Sequence, residues 1–427
     1  MTSPTTAHDR VPSPRTVAAV QRRTLVVLVL TQIVGTVGVG VAPSIGVLLA
    51  GEVTQNEAWA GLARSASTLG AAVLGLPLGN MAARWGRRPA LALGWWIAAA
   101  GAALLVPAAQ WSLVVPLFVG LLLIGSGSAV SLQARFAATD LAEPHHKGRA
   151  LSTVVWFGTL GTVLGPNLGI PGAWLGRATG LTVFASAFLI AAVCLALAGT
   201  LVFILLRPDP LLLADRPAAP SAGPRRSTRE RVAAMLAEVR TNRRARVAVI
   251  AILTAQVVMV AIMTMTPVHI THHGGSVDVV GITISLHVLG MYALSPLVGW
   301  LTDRFGPRLT IWIGIVVFLA SLVAGAVRPD DMGWIVVALI LLGVGWSFVN
   351  IAGSALCAAT VAPDVRASSQ GGVDALSNLC GATAAFAAGP LLVASSFSVL
   401  SVLSMALLVP LALSLLGPFV SAQGERH

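Results

Sequence analysis

Two short patterns of soft side chains lie in consecutive hydrophobic segments of this chain. Met259 and Met263 are four residues apart in the first segment, and His287 and Met291 are four residues apart in the second. A four-residue step returns a side chain to the same helix face about 6 Å further along the axis. Counted from the loop near Gly274, Met263 and His287 lie at about 12 Å depth, and Met259 and Met291 at about 18 Å. If the two faces meet, three thioethers and an imidazole form a neutral, soft site that suits Cu(I) better than Mg, Ca or Mn.

The alternative is that these methionines only fill an apolar core, as methionine often does. Four of the nine methionines and four of the eight histidines nevertheless fall in this one stretch. A histidine within an otherwise apolar span is rare and usually functional. The sequence therefore predicts a metal site formed by Met259, Met263, His287 and Met291.

Further soft or imidazole side chains lie close to this pattern. A histidine-rich mouth above the methionine pair could collect metal at low affinity, and an ordinary polar loop is the equal alternative. A cysteine near the middle of the eleventh segment could add a soft ligand, although packing is the simpler interpretation. The candidate secondary ligands are Met265, His269, His272, His273 and Cys380.

Composition identifies the class of protein. The chain has 427 residues, 56% of them hydrophobic and only 10% charged, with a mean hydropathy of +0.86. A soluble domain carries about 25% charged residues, so we expect an all-α integral membrane protein. The predicted helical spans are twelve: 24–50, 57–82, 90–108, 111–136, 150–175, 180–206, 246–271, 279–301, 309–327, 333–358, 367–395 and 398–420.

The distribution of lysine and arginine predicts the orientation. Basic residues cluster before the first span, in alternate loops and in the long central connection, which places both termini in the cytoplasm by the positive-inside rule. We therefore expect a multi-pass protein of a bacterial cytoplasmic membrane, surrounded by lipid and acting as a monomer. The net charge of +11 is explained by topology, so no nucleic-acid partner is expected. The predicted segments are a tail (1–23), two halves (24–206 and 246–420), a linker (207–245) and a second tail (421–427).

Each predicted half carries one copy of a glycine- and arginine-containing loop. The copies are residues 79–88 and 299–308, which are 220 residues apart (299 − 79). A repeated Gly-x-x-x-Asp-Arg-x-Gly-x-Arg loop after the second span of each half resembles the major facilitator superfamily. That resemblance implies twelve helices in two pseudo-symmetric six-helix halves. The candidate conformational residues are Gly79, Arg84, Gly86, Arg87, Arg88, Asp303, Arg304, Gly306 and Arg308.

One copy of this loop departs from the superfamily pattern. Ala83 occupies the acidic position of the first copy, whereas Asp303 is present in the second. We therefore expect a weakened charge lock in the first half and a greater role for the second loop. Residues 161–169 are also similar to a glycine motif of drug/proton antiporters, although small residues at this spacing simply allow close helix packing, which we favour.

Three charges stand out because they lie inside predicted spans and not at the first residue of a span. Arg64, Arg135 and Asp374 are candidates for charge coupling, because an unpaired charge in a span costs several kcal/mol. Asp374 is the best candidate for a gate or a proton-linked carboxylate. Arg135 could instead be an interfacial anchor.

Within the superfamily, the paired Met-x-x-x-Met and His-x-x-x-Met patterns resemble those of the CcoA-like (CalT) copper importers. The resemblance implies copper import by alternating access, with copper as substrate and no resident cofactor. Related proteins carry riboflavin, so transport of a small organic molecule, by riboflavin uptake or drug/proton antiport, is the alternative. Stacking residues would then be Trp346, Phe348 and Trp156. No phosphate-binding loop is present and no enzymatic activity is expected, and no appended domain supports a non-transporting receptor.

Overall fold

The computed structural model describes residues 14–56, 58–143, 146–214, 241–360 and 366–416, and the regular secondary structure in these ranges is helical. Twelve of its helical units are long and apolar enough to cross a membrane, which confirms the predicted number. They are α1 (Val17–Thr54), α2 (Ala58–Trp85), α3 (Arg87–Gln110), α4 (Val114–Ala137), α5 (Arg149–Thr179), α6 (Val183–Ala214), α7 (Arg243–His272), α8 (Val277–Phe305), α9 (Pro307–Val327), α10 (Met332–Cys357), α11 (Arg366–Ala394) and α12 (Phe397–Leu415).

The first helix is longer than predicted. Its helical conformation begins at Pro14, three residues before the apolar unit Val17–Thr54 and ten residues before the expected start of the span at residue 24. Proline suits the first helical position because its missing N–H needs no partner there. Arg22 and Arg23 are exposed, so the basic extension reaches beyond the apolar part of the helix. Residues 14–23 therefore belong to this helix, whereas the rest of the predicted first tail, most of the linker and the second tail lie outside the described residues.

Four helical units contain interruptions. In α6 the helix stops at Leu205 and resumes at Pro210. A π turn, Ala42–Gly46, divides α1, and a 3-10 turn, Gly165–Leu168, divides α5. The helix of α8 stops at Tyr292 and resumes at Ser295. A proline lies within or just after each interruption, and proline removes a backbone donor from the helical ladder.

Helix packing repeats from one half to the other. In the first half α1 packs on α5 and α6, α2 packs on α4, and α3 packs on α4 and α6. In the second half α7 packs on α11 and α12, α8 packs on α10, and α9 packs on α10 and α12. Each pairing therefore recurs six helices later, and each half has its own apolar core. This is the predicted pair of pseudo-symmetric six-helix halves.

The glycine motif in α5 packs against α1. A Cβ atom on Gly161 would lie 2.1 Å from the carbonyl oxygen of Ile33, and one on Gly165 would lie 2.6 Å from the Cα of Gly40. No side chain fits in either space without moving the backbone. The interpretation of this motif as close helix packing within the first half is confirmed.

Candidate functional site

The two halves meet along two helix pairs, α2 with α11 and α5 with α8. The hydrogen bonds between these helices lie at the end of the bundle that is away from the arginine-containing loops. We call this end of the bundle the opposite end. Ser65 Oγ donates to the carbonyl oxygen of Ala382 at 2.7 Å, and Ser285 Oγ donates to the carbonyl oxygen of Val163 at 2.6 Å. Asn167 also donates to the Ser285 hydroxyl, at 2.6 Å. The side chains of each half thus bind the backbone of the other half.

Two glycines allow this close approach. A Cβ atom on Gly61 would lie 2.1 Å from the carbonyl oxygen of Ala385, and one on Gly281 would lie 2.7 Å from the carbonyl oxygen of Pro166. The sequence analysis missed this feature. Its signal is a Gly-x-x-x-Ser pattern that recurs in α2 and α8 with the same spacing of 220 residues (281 − 61) as the loops. The opposite end is closed by backbone contact.

At the other end, which we call the arginine-rich end, α5 and α8 are separated by a cavity. Its volume is about 630 Å³, and Trp156, Thr159 and Tyr292 contribute to its lining. Trp156 is 54% exposed, and its ring packs edge-on against Phe157. The halves are therefore joined at one end and separated at the other.

The second half presents a polar and aromatic surface near this cavity. The Tyr292 ring lies edge-on to Trp346, with the ring centroids 6.0 Å apart, and Trp346 Nε1 donates to Gln256 Oε1 at 3.3 Å. We call these three half-buried residues the aromatic wall. Gln256 and Tyr292 were not predicted, although Tyr292 is the only tyrosine in the chain. Phe348 is not part of the wall, because it packs against Gly314 of α9.

Two of the three predicted intramembrane charges, Arg64 in α2 and Arg135 in α4, are half-buried. The Nε atom of each is buried and has no hydrogen-bond partner among the described residues. Asp374 lies in α11, outside the residues whose side chains the structure describes.

The four predicted metal ligands are all buried in the second half. Met259, Met263 and Met291 are between 4% and 7% exposed and belong to its apolar core, and His287 is fully buried. The Nδ1 atom of His287 lies 2.8 Å from the carbonyl oxygen of Leu339. Since a carbonyl oxygen only accepts, Nδ1 must carry the hydrogen, and a neutral ring then has its lone pair on Nε2.

His287 Nε2 is buried and has no partner among the described residues. A metal-binding histidine usually donates its other ring N–H to a carbonyl or carboxylate oxygen, which fixes the tautomer in the same way. The same lone pair could accept a hydrogen bond from an organic solute. The methionines pack as core residues would, so their burial alone does not distinguish a ligand from a filler.

The histidines at the mouth of α7 are held by protein atoms. His269 Nε2 donates to the carbonyl oxygen of Pro329 at 2.6 Å, and its ring stacks on Phe397 with centroids 4.4 Å apart. His273 donates from Nδ1 to the carbonyl oxygen of His269 at 2.9 Å, and its Nε2 lies 3.0 Å from Asp330. These contacts join α7 to the loop between α9 and α10.

Such contacts leave little support for a metal-collecting mouth. In the described part of the chain, no three His, Cys, Asp or Glu side chains are grouped so that they could hold a metal ion. Met265 is fully buried in the core, His272 is the exposed last residue of α7, and Cys380 is a half-buried free thiol of α11. His269 and His273 therefore make structural contacts in this conformation, and metal collection at this mouth stays a prediction.

The two repeated loops share a backbone conformation. Gly86 has φ +93° and Gly306 has φ +85°, values that favour glycine. Three consecutive side chains are exposed in each copy. They are Ala83, Arg84 and Trp85 in the first copy and Asp303, Arg304 and Phe305 in the second.

Tertiary contacts replace the missing acid of the first loop. Asp140 accepts two hydrogen bonds from Arg87, at 2.8 and 3.1 Å, and Asp209 Oδ2 accepts one from the backbone N–H of Arg88 at 2.7 Å. Carboxylates after α4 and in α6 therefore hold this loop within the first half, whereas the expected weakening of its charge lock stays a prediction. Asp303 makes no ion pair with a described residue, since the halves are apart at this end.

Comparison with known proteins agrees with this architecture. The family model described as Major Facilitator Superfamily matches residues 24–277 and 250–424. An uncharacterized MFS-type transporter of Bacillus subtilis, YddS, is 36% identical over 392 residues, covering 91% of this chain and 89% of the relative. The riboflavin transporter RfnT of Brucella anthropi is 31% identical over 408 residues, covering 93% of this chain and 97% of RfnT. Neither name mentions copper.

Solved structures show the same fold. A mutant form of the nucleoside transporter NupG superposes with a TM-score of 0.71 at 18% identity, covering 92% of this chain and 98% of that one. A bacterial homologue of the human lysosomal transporter Spinster, in an inward-facing and unoccupied conformation, superposes with a TM-score of 0.64 at 16% identity, covering 95% and 97%.

Proposed function

Because the chain belongs to the major facilitator superfamily, we propose that it is a secondary transporter of a small organic solute with a planar ring. The observation that carries the substrate class is the aromatic wall of Gln256, Tyr292 and Trp346, which lies beside the cavity between α5 and α8. Aromatic side chains with a polar partner suit a flat heterocycle, which needs stacking area and a few directed hydrogen bonds. The similarity to a riboflavin transporter supports this class and makes riboflavin the first solute to test.

Transport would occur by alternating access. The structure is closed at the opposite end by the Ser65 and Ser285 contacts and has a cavity at the arginine-rich end. By the positive-inside rule the arginine-rich end is cytoplasmic. The conformation would then be inward-facing, in a bacterial cytoplasmic membrane with both termini in the cytoplasm.

Uptake of labelled riboflavin into proteoliposomes tests this function. We expect saturable uptake that falls at least tenfold in Trp346→Ala and is partly kept in Trp346→Phe, because phenylalanine retains a stacking face. Phe348→Leu is the matched control, since Phe348 packs against α9 and should leave uptake near the parent rate. Absence of saturable uptake of riboflavin, of its 5′-phosphate and of aromatic carboxylates would contradict the proposal.

Copper import is a second candidate, favoured by one observation. His287 presents a buried, unpartnered Nε2 in the same half as Met259, Met263 and Met291. Copper would be the transported substrate, bound by these four side chains. Leucine conserves most of the methionine volume but removes the sulfur, so the double variant Met259→Leu, Met263→Leu should keep its fold.

Copper accumulation measured by mass spectrometry decides between the candidates. If copper is the substrate, accumulation should collapse in the double methionine variant and persist in the control Met405→Leu, which lies in α12. If the solute is organic, riboflavin uptake should survive the double substitution. Copper accumulation that is equal with and without the protein would remove this candidate.

A further inference from the structure

A second cavity lies at the arginine-rich end, between the beginning of α1 and the segment that joins α4 to α5. Its volume is about 620 Å³, which is within the usual range for a site that binds a small molecule. Apolar side chains such as Leu25 and Leu141 line it together with two arginines, Arg22 and Arg149. The residues of the aromatic wall do not belong to this lining, so the proposed function leaves the cavity without a role.

The cavity lies where the chain passes from the apolar part of the bilayer to water. Arg22 is two residues before the first predicted span, 24–50, and Arg149 is one residue before the fifth, 150–175. On α1 the lining extends from Val17 to Leu25, or about 12 Å of helix rise. The polar region of one bilayer leaflet is about 5–8 Å thick. The cavity therefore spans the headgroup region and reaches the edge of the hydrocarbon core.

The two arginines of this cavity are accessible to an anion. Both side chains are exposed, and neither takes part in the ion pairs recorded in the described ranges. The one carboxylate in the described lining, Glu143, pairs with His146 at 3.3 Å. A guanidinium keeps its charge in proteins, so with His146 neutral the described lining has a net charge of +1 (2 − 1). An anion is therefore favoured over a neutral or cationic ligand.

A hydrogen bond fixes one wall of the cavity. Gln21, the residue before Arg22, also lines the cavity, and its Nε2 donates to the carbonyl oxygen of Ala138 at 2.8 Å. This bond joins α1 to the end of α4, on the chain segment that continues to Glu143 and His146. The two sides of the cavity are therefore held together before a ligand binds, and less conformational entropy is lost on binding.

An apolar surface continues from Arg22 into the bilayer. Val26 and Leu30 follow Arg22 at steps of four residues, so the three side chains share one face of α1. Val26 is 53% exposed and Leu30 is 48% exposed. An acyl chain can lie along this surface, whereas a free phosphate ion can use only the arginines.

We propose that this cavity binds an anionic phospholipid, with its headgroup phosphate held by Arg22 and Arg149 and an acyl chain along Val26 and Leu30. Arginine binds phosphate oxygens with paired hydrogen bonds, and basic pockets at a membrane surface suit anionic headgroups. Phosphatidylglycerol carries one uncompensated phosphate charge. Phosphatidylethanolamine carries the same phosphate beside an ammonium group, so it should bind less tightly. This inference goes beyond the proposed function and does not depend on which solute is transported.

Native mass spectrometry of the purified full-length protein measures this selectivity. The protein in detergent is titrated with phosphatidylglycerol and with phosphatidylethanolamine that has the same acyl chains. We expect the first phosphatidylglycerol to bind at least tenfold more tightly. The double variant Arg22→Gln, Arg149→Gln should lose this preference, and because both side chains are exposed it should keep its fold. The double variant Arg22→Lys, Arg149→Lys keeps the charge without the paired donors, so it should retain part of the preference.

Neighbouring residues of α1 supply matched controls. Arg23 is also exposed but does not line the cavity, so Arg23→Gln removes one charge and should leave the preference intact. Ala18→Trp fills the cavity and keeps both arginines, so it should weaken phosphatidylglycerol binding. Ala19→Trp places the same ring on an exposed neighbour outside the lining and should have no effect.

Three results would overturn the inference. The first is equal affinity of the parent protein for the two lipids. The second is an equal loss of preference in Arg23→Gln and in the double glutamine variant, which would indicate a general charge effect. The third is displacement of phosphatidylglycerol by an equal concentration of glycerol 3-phosphate, which would assign the cavity to a soluble phosphate compound. Uptake measurements are independent of all three, so failure of the proposed function would be recognised separately.

Discussion

Ser65 and Ser285 make equivalent hydrogen bonds from opposite sides of the interface between the halves. Ser65 Oγ donates to the carbonyl oxygen of Ala382 at 2.7 Å, and Ser285 Oγ donates to that of Val163 at 2.6 Å. The donors are 220 residues apart (285 − 65) and the acceptors 219 (382 − 163). The pseudo-symmetry of the halves therefore extends to the contacts that close the opposite end, and both bonds must break before that end can open.

Removing both hydroxyls should favour the conformation open at the opposite end. A hydrogen bond contributes about 1 kcal/mol, so Ser65→Ala with Ser285→Ala should shift the equilibrium by roughly 20- to 30-fold. Spin labels at Gln55 and Ser395, in a background without Cys194, Cys357 and Cys380, would report a longer distance. Ser404→Ala is the control, because its hydroxyl binds Leu400 within α12. An unchanged distance distribution would show that the serines do not hold this end closed.

Enlarging Gly61 should prevent closure of the same end. A Cβ atom there would lie 2.1 Å from the carbonyl oxygen of Ala385, so Gly61→Val cannot be accommodated without separating α2 from α11. We expect uptake to fall at least tenfold while the protein remains in the membrane. Gly51→Ala is the control, because no atom lies within 4 Å of its added Cβ. Normal uptake by Gly61→Val would contradict the assigned contact.

Neutralising the carboxylates that hold the first loop should lower thermal stability. Asp140→Asn weakens a largely buried bidentate pair with Arg87, at a cost of about 1–3 kcal/mol. Asp209→Asn weakens the cap on the Arg88 N–H, at a cost of about 1 kcal/mol. Thermal unfolding of the purified protein measures both. Asp303→Asn should leave the unfolding temperature unchanged, because Asp303 is exposed; a decrease as large as that of Asp140→Asn would contradict this assignment.

The mouth histidines should contribute to stability and not to metal binding. His269→Phe keeps a ring that can stack on Phe397 but loses the donor to Pro329, so it should cost about 1 kcal/mol. Thermal unfolding with and without added copper tests this. Any change in unfolding temperature on adding copper should be the same in the parent protein and in His269→Phe, and a copper-dependent increase that His269→Phe abolishes would support a metal role for the mouth.

Several features of this protein follow from local sequence alone. Hydropathy predicted twelve helices, because a chain in lipid must satisfy its backbone hydrogen bonds within each span. The loops at 79–88 and 299–308 predicted the two halves, since Gly86 and Gly306 require the same positive φ wherever the turn occurs. Gly161 and Gly165 predicted close packing, because a residue without a side chain lets a neighbouring helix approach whatever the rest of the fold.

The tertiary structure decided which groups meet. The loop at 79–88 is held by Asp140 and Asp209, which reach it from distant parts of the chain. The tautomer of His287 depends on the carbonyl of Leu339, 52 residues away. Hydropathy and periodicity describe how one helix faces its surroundings, whereas these contacts depend on how neighbouring helices are rotated and how closely their backbones approach. That relative placement, set by packing between helices, also joined Gln256, Tyr292 and Trp346 into the aromatic wall.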